Sequence, residues 1–106
     1  MGVQPSLLEE VVRRILSVAT PDRIILFGSA ARDRMTPESD IDLLVLEESP
    51  ANVWEEMVRL NDALRGLGHA FDVIVMPTEH FEESKNVIGG LAYPANKYGK
   101  VIYEAA

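Results

Sequence analysis

The sequence predicts a single α/β domain, with a mixed β-sheet of about four strands and helices packed against it. Three observations lead there. Short aliphatic runs at 23–27, 40–46, 70–76 and 100–104 read as strands. Segments with apolar residues at helical spacing alternate with most of them. The first two runs, however, are separated only by a loop of about a dozen residues, so the sheet is expected to be mixed rather than wholly parallel.

Each element has its own signals. Ser6-Leu7-Leu8-Glu9 has the form of a capping box with Ser6 as N-cap. Leu7, Leu8, Val11, Val12, Ile15 and Leu16 then supply the apolar face of a helix over about 6–18, which Pro21 ends. Arg23-Ile24-Ile25-Leu26-Phe27, closed by Gly28, reads as a buried strand. Residues 28–39 form a loop, and residues 40–46 the second strand. Ser49-Pro50 opens the next helix, whose apolar face is Val53, Trp54, Met57, Val58, Leu60, Ala63 and Leu64. Gly66 and Gly68 end it. The third strand, 70–76, stops at Pro77, and Thr78 caps a short helix reaching Ser84. Gly89-Gly90 and Pro94 weaken any helix over 86–97, so a broken one is expected there before the last strand.

Composition narrows the function. The 106 residues fit one domain, 1–106, with a modest core. No apolar run approaches the ~18 residues of a membrane span, and no signal peptide is evident. The first six residues fit a loose myristoylation pattern, discounted because Ser6 serves as a cap. With no cysteine, disulfides, cysteine catalysis and thiolate metal sites are excluded, and a cytoplasmic location is expected. The net charge of −7 argues against direct nucleic-acid binding and suits a divalent cation or a basic partner.

The chemistry concentrates on aspartates placed in strands, where Asp is disfavoured. Asp40 and Asp42 flank Ile41 and share one face, about 6.6 Å apart along the strand. Two such carboxylates repel unless a cation lies between them, and Mg²⁺ takes one or two carboxylates together with phosphate oxygens. Asp72 repeats the pattern in Phe71-Asp72-Val73-Ile74-Val75. If the second and third strands are neighbours, three carboxylates can hold two metal ions roughly 3.5–4 Å apart. Gly28-Ser29, after a strand, offers close backbone approach and a hydroxyl for a phosphate, and Arg32 offers charge. Taken singly, most of these residues have plainer readings: a turn at Gly28, a strand-start residue at Asp40, a solvated side chain at Arg32. Asp42, between Ile and Leu, is the hardest to explain so. His69 and His80 read as surface residues, Trp54 as helix core, the three tyrosines as packing residues, and Glu47-Glu48 and Glu82-Glu83 as solvated faces.

Together the motifs resemble a known family. Leu26-Phe27-Gly28-Ser29-Ala30-Ala31-Arg32, followed by Ser39-Asp40-Ile41-Asp42-Leu43-Leu44-Val45, is similar to the signature of the DNA polymerase β-like nucleotidyltransferase superfamily. It most resembles the minimal (MNT) domains that act as antitoxins beside HEPN toxins. Phe71-Asp72-Val73-Ile74-Val75 resembles the family's third-carboxylate strand, and Tyr98-Gly99-Lys100-Val101-Ile102-Tyr103 its usual close.

The resemblance implies a mechanism. Asp40 and Asp42 would bind two Mg²⁺ ions, with Asp72 completing the one that activates an acceptor hydroxyl. Gly28, Ser29 and Arg32 would hold the phosphates of ATP or another nucleoside triphosphate. The implied reaction is AMP transfer from ATP to a tyrosine of a HEPN-domain toxin, and homo-oligomerisation is left open. One departure stands out: Asp33 occupies a position where the family usually has Gly. It favours the alternative of a degenerate, non-catalytic antitoxin that neutralises its partner by contact. A transferase acting on small molecules, like those that modify aminoglycosides, generally needs a longer chain.

Overall fold

A computed structural model describes residues 3–31 and 40–106. In chain order the elements are α1 (Pro5–Leu16), β1 (Arg23–Phe27), β2 (Ile41–Glu47), α2 (Val53–Ala63), β3 (Phe71–Pro77), α3 (Thr78–Ser84), α4 (Ala92–Tyr98) and β4 (Lys100–Glu104). The four strands form one sheet in the order β3-β2-β1-β4. β1 runs antiparallel to both β2 and β4, and β2 runs parallel to β3. The mixed sheet is therefore as expected, and the second and third strands are neighbours, which is the condition under which Asp72 can approach the other aspartates.

The sheet is covered on both faces. Val11 and Ile15 of α1 and Leu60 of α2 pack on Ile24, Leu26, Ile41, Leu43, Val45, Val73 and Val75. Phe81 of α3 and Ala92 and Ala95 of α4 pack on Ile25, Leu44 and Leu46. β2 is thus sandwiched between two helical layers, which explains its nearly continuous apolar sequence.

Helix starts differ from expectation for local reasons. α1 begins at Pro5 with Gln4 as N-cap, so Ser6 lies inside the helix and makes no cap. Proline at the first position has its φ preset and lacks only an N–H that would go unbonded there. α2 begins at Val53, not at Pro50, because the side chain of Asn52 accepts a hydrogen bond from the Glu55 N–H at 3.0 Å. Pro77, not Thr78, occupies the N-cap position of α3, and no side chain caps it. α4 starts only after the Gly89-Gly90 pair and keeps Pro94 in its first turn, where no N–H is missed.

Two expectations about burial are overturned. Trp54 is 71% exposed and Val58 52% exposed. The buried face of α2 passes through Leu60, with Val53 and Met57 packed partly against the core, and Trp54 lies off it. Glu47, expected on a solvated face, is buried. The edge strand β3 is met by Asn61 of α2. Its amide donates to the Val73 carbonyl and its side-chain oxygen accepts from the Val73 N–H, both at 3.2 Å.

Candidate active site

The alternation of each strand decides where its aspartate points. Leu44 and Leu46 of β2 face the α3–α4 layer, and so does Asp42, two residues earlier. Ile74 and Met76 of β3 do the same, and Asp72 continues their row. In the parallel ladder Asp42 stands directly opposite Asp72. Two carboxyl groups are therefore side by side at one end of adjacent strands. Asp40 is exposed and immediately precedes β2, where the Ile41 N–H extends the ladder to the Ala70 carbonyl at 2.9 Å.

From the other side, Phe27 at the end of antiparallel β1 faces Asp42, and the chain then turns at Gly28 with φ +70°. A Cβ at Gly28 would lie 3.2 Å from the Asp42 Cγ and would collide with its Oδ2. The glycine backbone thus lies against the Asp42 carboxylate. Ser29, half-buried, follows in the same turn.

Electrostatics single out Asp42. Burial pushes its carboxyl above the ordinary value, and the charges of Asp72 and Asp40 push it further. A carboxylate kept close to two like charges is the environment a divalent cation relieves, and only a residue without a side chain lets the backbone approach that carboxylate so closely. The donor set therefore fits a hard cation chemically. Among the described residues, no three carboxylate or histidine side chains converge closely enough to form a finished metal-ligand set. The in-register pair is Asp42 with Asp72. A groove of about 360 Å³, lined in part by Trp54, Val58 and Ile74, reaches Asp72 from the β3 edge.

Five of the six expected site residues, Gly28, Ser29, Asp40, Asp42 and Asp72, thus gather at one end of the β1–β2–β3 ladder. Arg32 lies outside the described residues, as does Asp33. His69 and His80 are exposed, as expected. Tyr103 packs on the core, whereas Tyr98 is 43% exposed beside Lys97. The reading of the sequence missed Glu47. Its parity with Ile41, Leu43 and Val45, all buried against α1 and α2, was the available signal.

The fold and this end of the sheet define an α/β protein that presents strand-borne carboxylates beside a glycine turn. The chain belongs to the nucleotidyltransferase domain family, whose family model matches residues 6–92. It is similar in structure to a toxin–antitoxin solved with AMP-PNP, at 20% identity and a TM-score of 0.65, over 92% of this chain and 73% of that one. A putative nucleotidyltransferase from Sulfolobus solfataricus is similar at 21% identity and a TM-score of 0.57, over 98% of this chain and 92% of that one. A mutant of the toxin–antitoxin MntA-HpeT is similar at 18% identity and a TM-score of 0.61, over 92% of this chain and 73% of that one. At these identities the likeness is one of fold. No curated protein sequence matches the chain. Among the described residues no helix is long and apolar enough to cross a membrane.

Proposed function

We propose that the protein transfers a nucleotidyl group, AMP from ATP, to a hydroxyl acceptor, and that the acceptor is a tyrosine of a HEPN-type toxin partner. The observation that supports it most is the register of Asp42 on Asp72, with Gly28 against the Asp42 carboxylate. The likeness in fold to a toxin–antitoxin solved with AMP-PNP supports the nucleotide and the setting.

In this reading Asp40, Asp42 and Asp72 would hold two Mg²⁺ ions, whose chemistry there would be to neutralise triphosphate charge and to lower the pKa of the acceptor hydroxyl. Gly28, lacking a side chain, lets the backbone approach the phosphates, and Ser29 contributes its hydroxyl. Arg32, as the family resemblance implies, adds positive charge for the phosphates. The acceptor oxygen bonds to the α-phosphorus, the bond to the bridging oxygen breaks, and pyrophosphate leaves. The chain's own contribution is positioning and charge, with no covalent intermediate on a side chain. The groove beside Asp72 leaves the β3 side open to an acceptor.

Labelled ATP, Mg²⁺ and a HEPN-domain partner test it, with the double variant Asp40→Asn/Asp42→Asn as control. Label on the partner that the control abolishes is the expected result. Folded protein that binds no ATP in the presence of Mg²⁺ overturns the catalytic reading. It leaves the contact-only antitoxin, which Asp33 at a position usually Gly in the family favours.

A further inference from the structure

Glu47 is an anomaly of the core. It closes β2 on the face that buries Ile41, Leu43 and Val45, and it is only 8% exposed. It is the one charged residue type among the buried described residues. Its carboxyl shares a hydrogen bond with Glu56 of α2. Its Oε2 is buried, and no N–H or hydroxyl among the described residues donates to it. A buried oxygen in that state costs free energy unless something satisfies it.

Two clefts, of about 500 and 350 Å³, meet at Glu47, Glu56 and Arg59. The larger is also lined by Asp22, Glu48, Ser17 and Thr20. Among the described residues, four carboxyl groups of the larger cleft therefore face a single cationic side chain. That cation is already engaged, since Arg59 bonds Glu56 at 2.6 Å and donates to the Val18 carbonyl. Asp22 accepts a hydrogen bond from the Thr78 hydroxyl, which fixes its carboxylate at the cleft wall. Among the described residues no three carboxylates are gathered tightly enough for a metal ion. Arg59 itself demonstrates that a guanidinium fits against this wall.

We propose that this cleft is a second binding site, for an organic cation of the guanidinium or primary-ammonium type, with Glu47 as its central acceptor and Asp22 and Glu48 as its outer wall. It lies at the other end of β2 from Asp42, about 16 Å away along the strand. Basic side chains of a partner protein carry this head group, and the net charge of −7 draws them in.

Binding is linked to a proton. Burial, then the Glu56 hydrogen bond and charge, hold the Glu47 carboxyl up to about 7, with Asp22 adding and Arg59 opposing. A cation takes the carboxylate form, so its arrival releases one proton to solvent. Below pH 7 the competent form is scarce. Its fraction rises from about 0.1 to about 0.9 between pH 6 and 8, so the apparent affinity tightens about ninefold.

Acetyl-arginine amide and acetyl-lysine amide serve as probes, with acetyl-glycine amide as the uncharged control. The readout is the carboxyl carbon resonance of Glu47 in the full chain, followed by NMR. A saturable shift toward the carboxylate position with either charged probe, tightening about ninefold from pH 6 to 8, is expected. The tighter probe identifies the head group. Glu47→Gln, checked for folding by its amide spectrum, loses the site, and the surface change Glu48→Gln weakens it severalfold. No saturable shift at pH 8, a response no greater than that to the glycine control, or amide shifts in Glu47→Gln equal to those of the parent overturns the proposal.

Discussion

The backbone of Gly28 lies directly against the carboxylate of Asp42, closely enough that a methyl group at residue 28 would overlap Oδ2. The same glycine has a φ of +70°. Gly28→Ala therefore meets two penalties, a left-handed backbone costing about 1–2 kcal/mol and a displaced carboxylate. We expect a lowered Tm together with a fall of about tenfold or more in Mg²⁺-dependent ATP affinity, measured by calorimetry on the folded variant. Unchanged affinity would detach Gly28 from the site.

Asp42 and Asp72 oppose each other across parallel strands, and Asp42 is driven toward its protonated form by burial and by its neighbours' charge. Removing either charge should relieve that repulsion. Asp72→Asn is thus expected to melt above the parent in EDTA, and to lose the further stabilisation that Mg²⁺ with ATP gives the parent. Thermal scans with and without the metal decide it. A variant that melts lower in EDTA speaks against like-charge repulsion as the dominant effect.

Glu47 fixes a pH dependence. Its folded value, about 7, exceeds the ordinary 4.5, so the folded state binds the extra proton. The stability this contributes is complete below about pH 4.5 and is lost as pH rises through 7. Glu56, held low chiefly by its hydrogen bond to Glu47, acts in the opposite sense and reduces the net slope. Urea titrations from pH 5 to 8 should show a loss on the order of 1–2 kcal/mol. In Glu47→Gln that slope should flatten, and an equally steep slope would point to other groups.

Gly99 joins α4 to β4 where space is short. A Cβ there would lie 2.7 Å from Ile25 Cγ2 and closer still to the Ala95 carbonyl. Its backbone is ordinary extended chain, so the cost of Gly99→Ala is steric. A loss of about 1–3 kcal/mol in chemical denaturation is expected, with α4 and β4 losing amide protection first.

Trp54 makes the contrasting case. At 71% exposure its removal leaves little cavity, so Trp54→Ser should change stability by no more than about 0.5 kcal/mol. The parent's tryptophan emission should already lie at the wavelength of a hydrated indole. A blue-shifted emission or a large loss of stability would place the ring in the core.

Much of this was legible from residue order. Short aliphatic runs located all four strands within a residue or so, and the isolated Asp42 and Asp72 marked the shared end of β2 and β3. What escaped had physical causes. Asn52 outcompeted Pro50 as a helix start because its side chain bonds an otherwise orphaned N–H. Trp54 reads as a core residue by sequence because aromatic side chains carry large apolar area. Rotation about α2, however, is set by Leu60 and its partly buried neighbours Val53 and Met57. Glu47 was read by its charge, whereas its strand parity governed its burial.

Asn61 bears on how the molecule stays apart from its copies. A sheet edge carries outward peptide groups that can template another strand. At Val73 both of those groups are taken by one amide side chain, anchored in turn on the Met57 carbonyl. The helix thereby impersonates the next strand for the length of one residue. An incoming chain in extension would have to evict it before the β-ladder could grow. The flank nearest Asp72 is thus closed to fibril-like stacking while it remains open to side chains arriving through the groove.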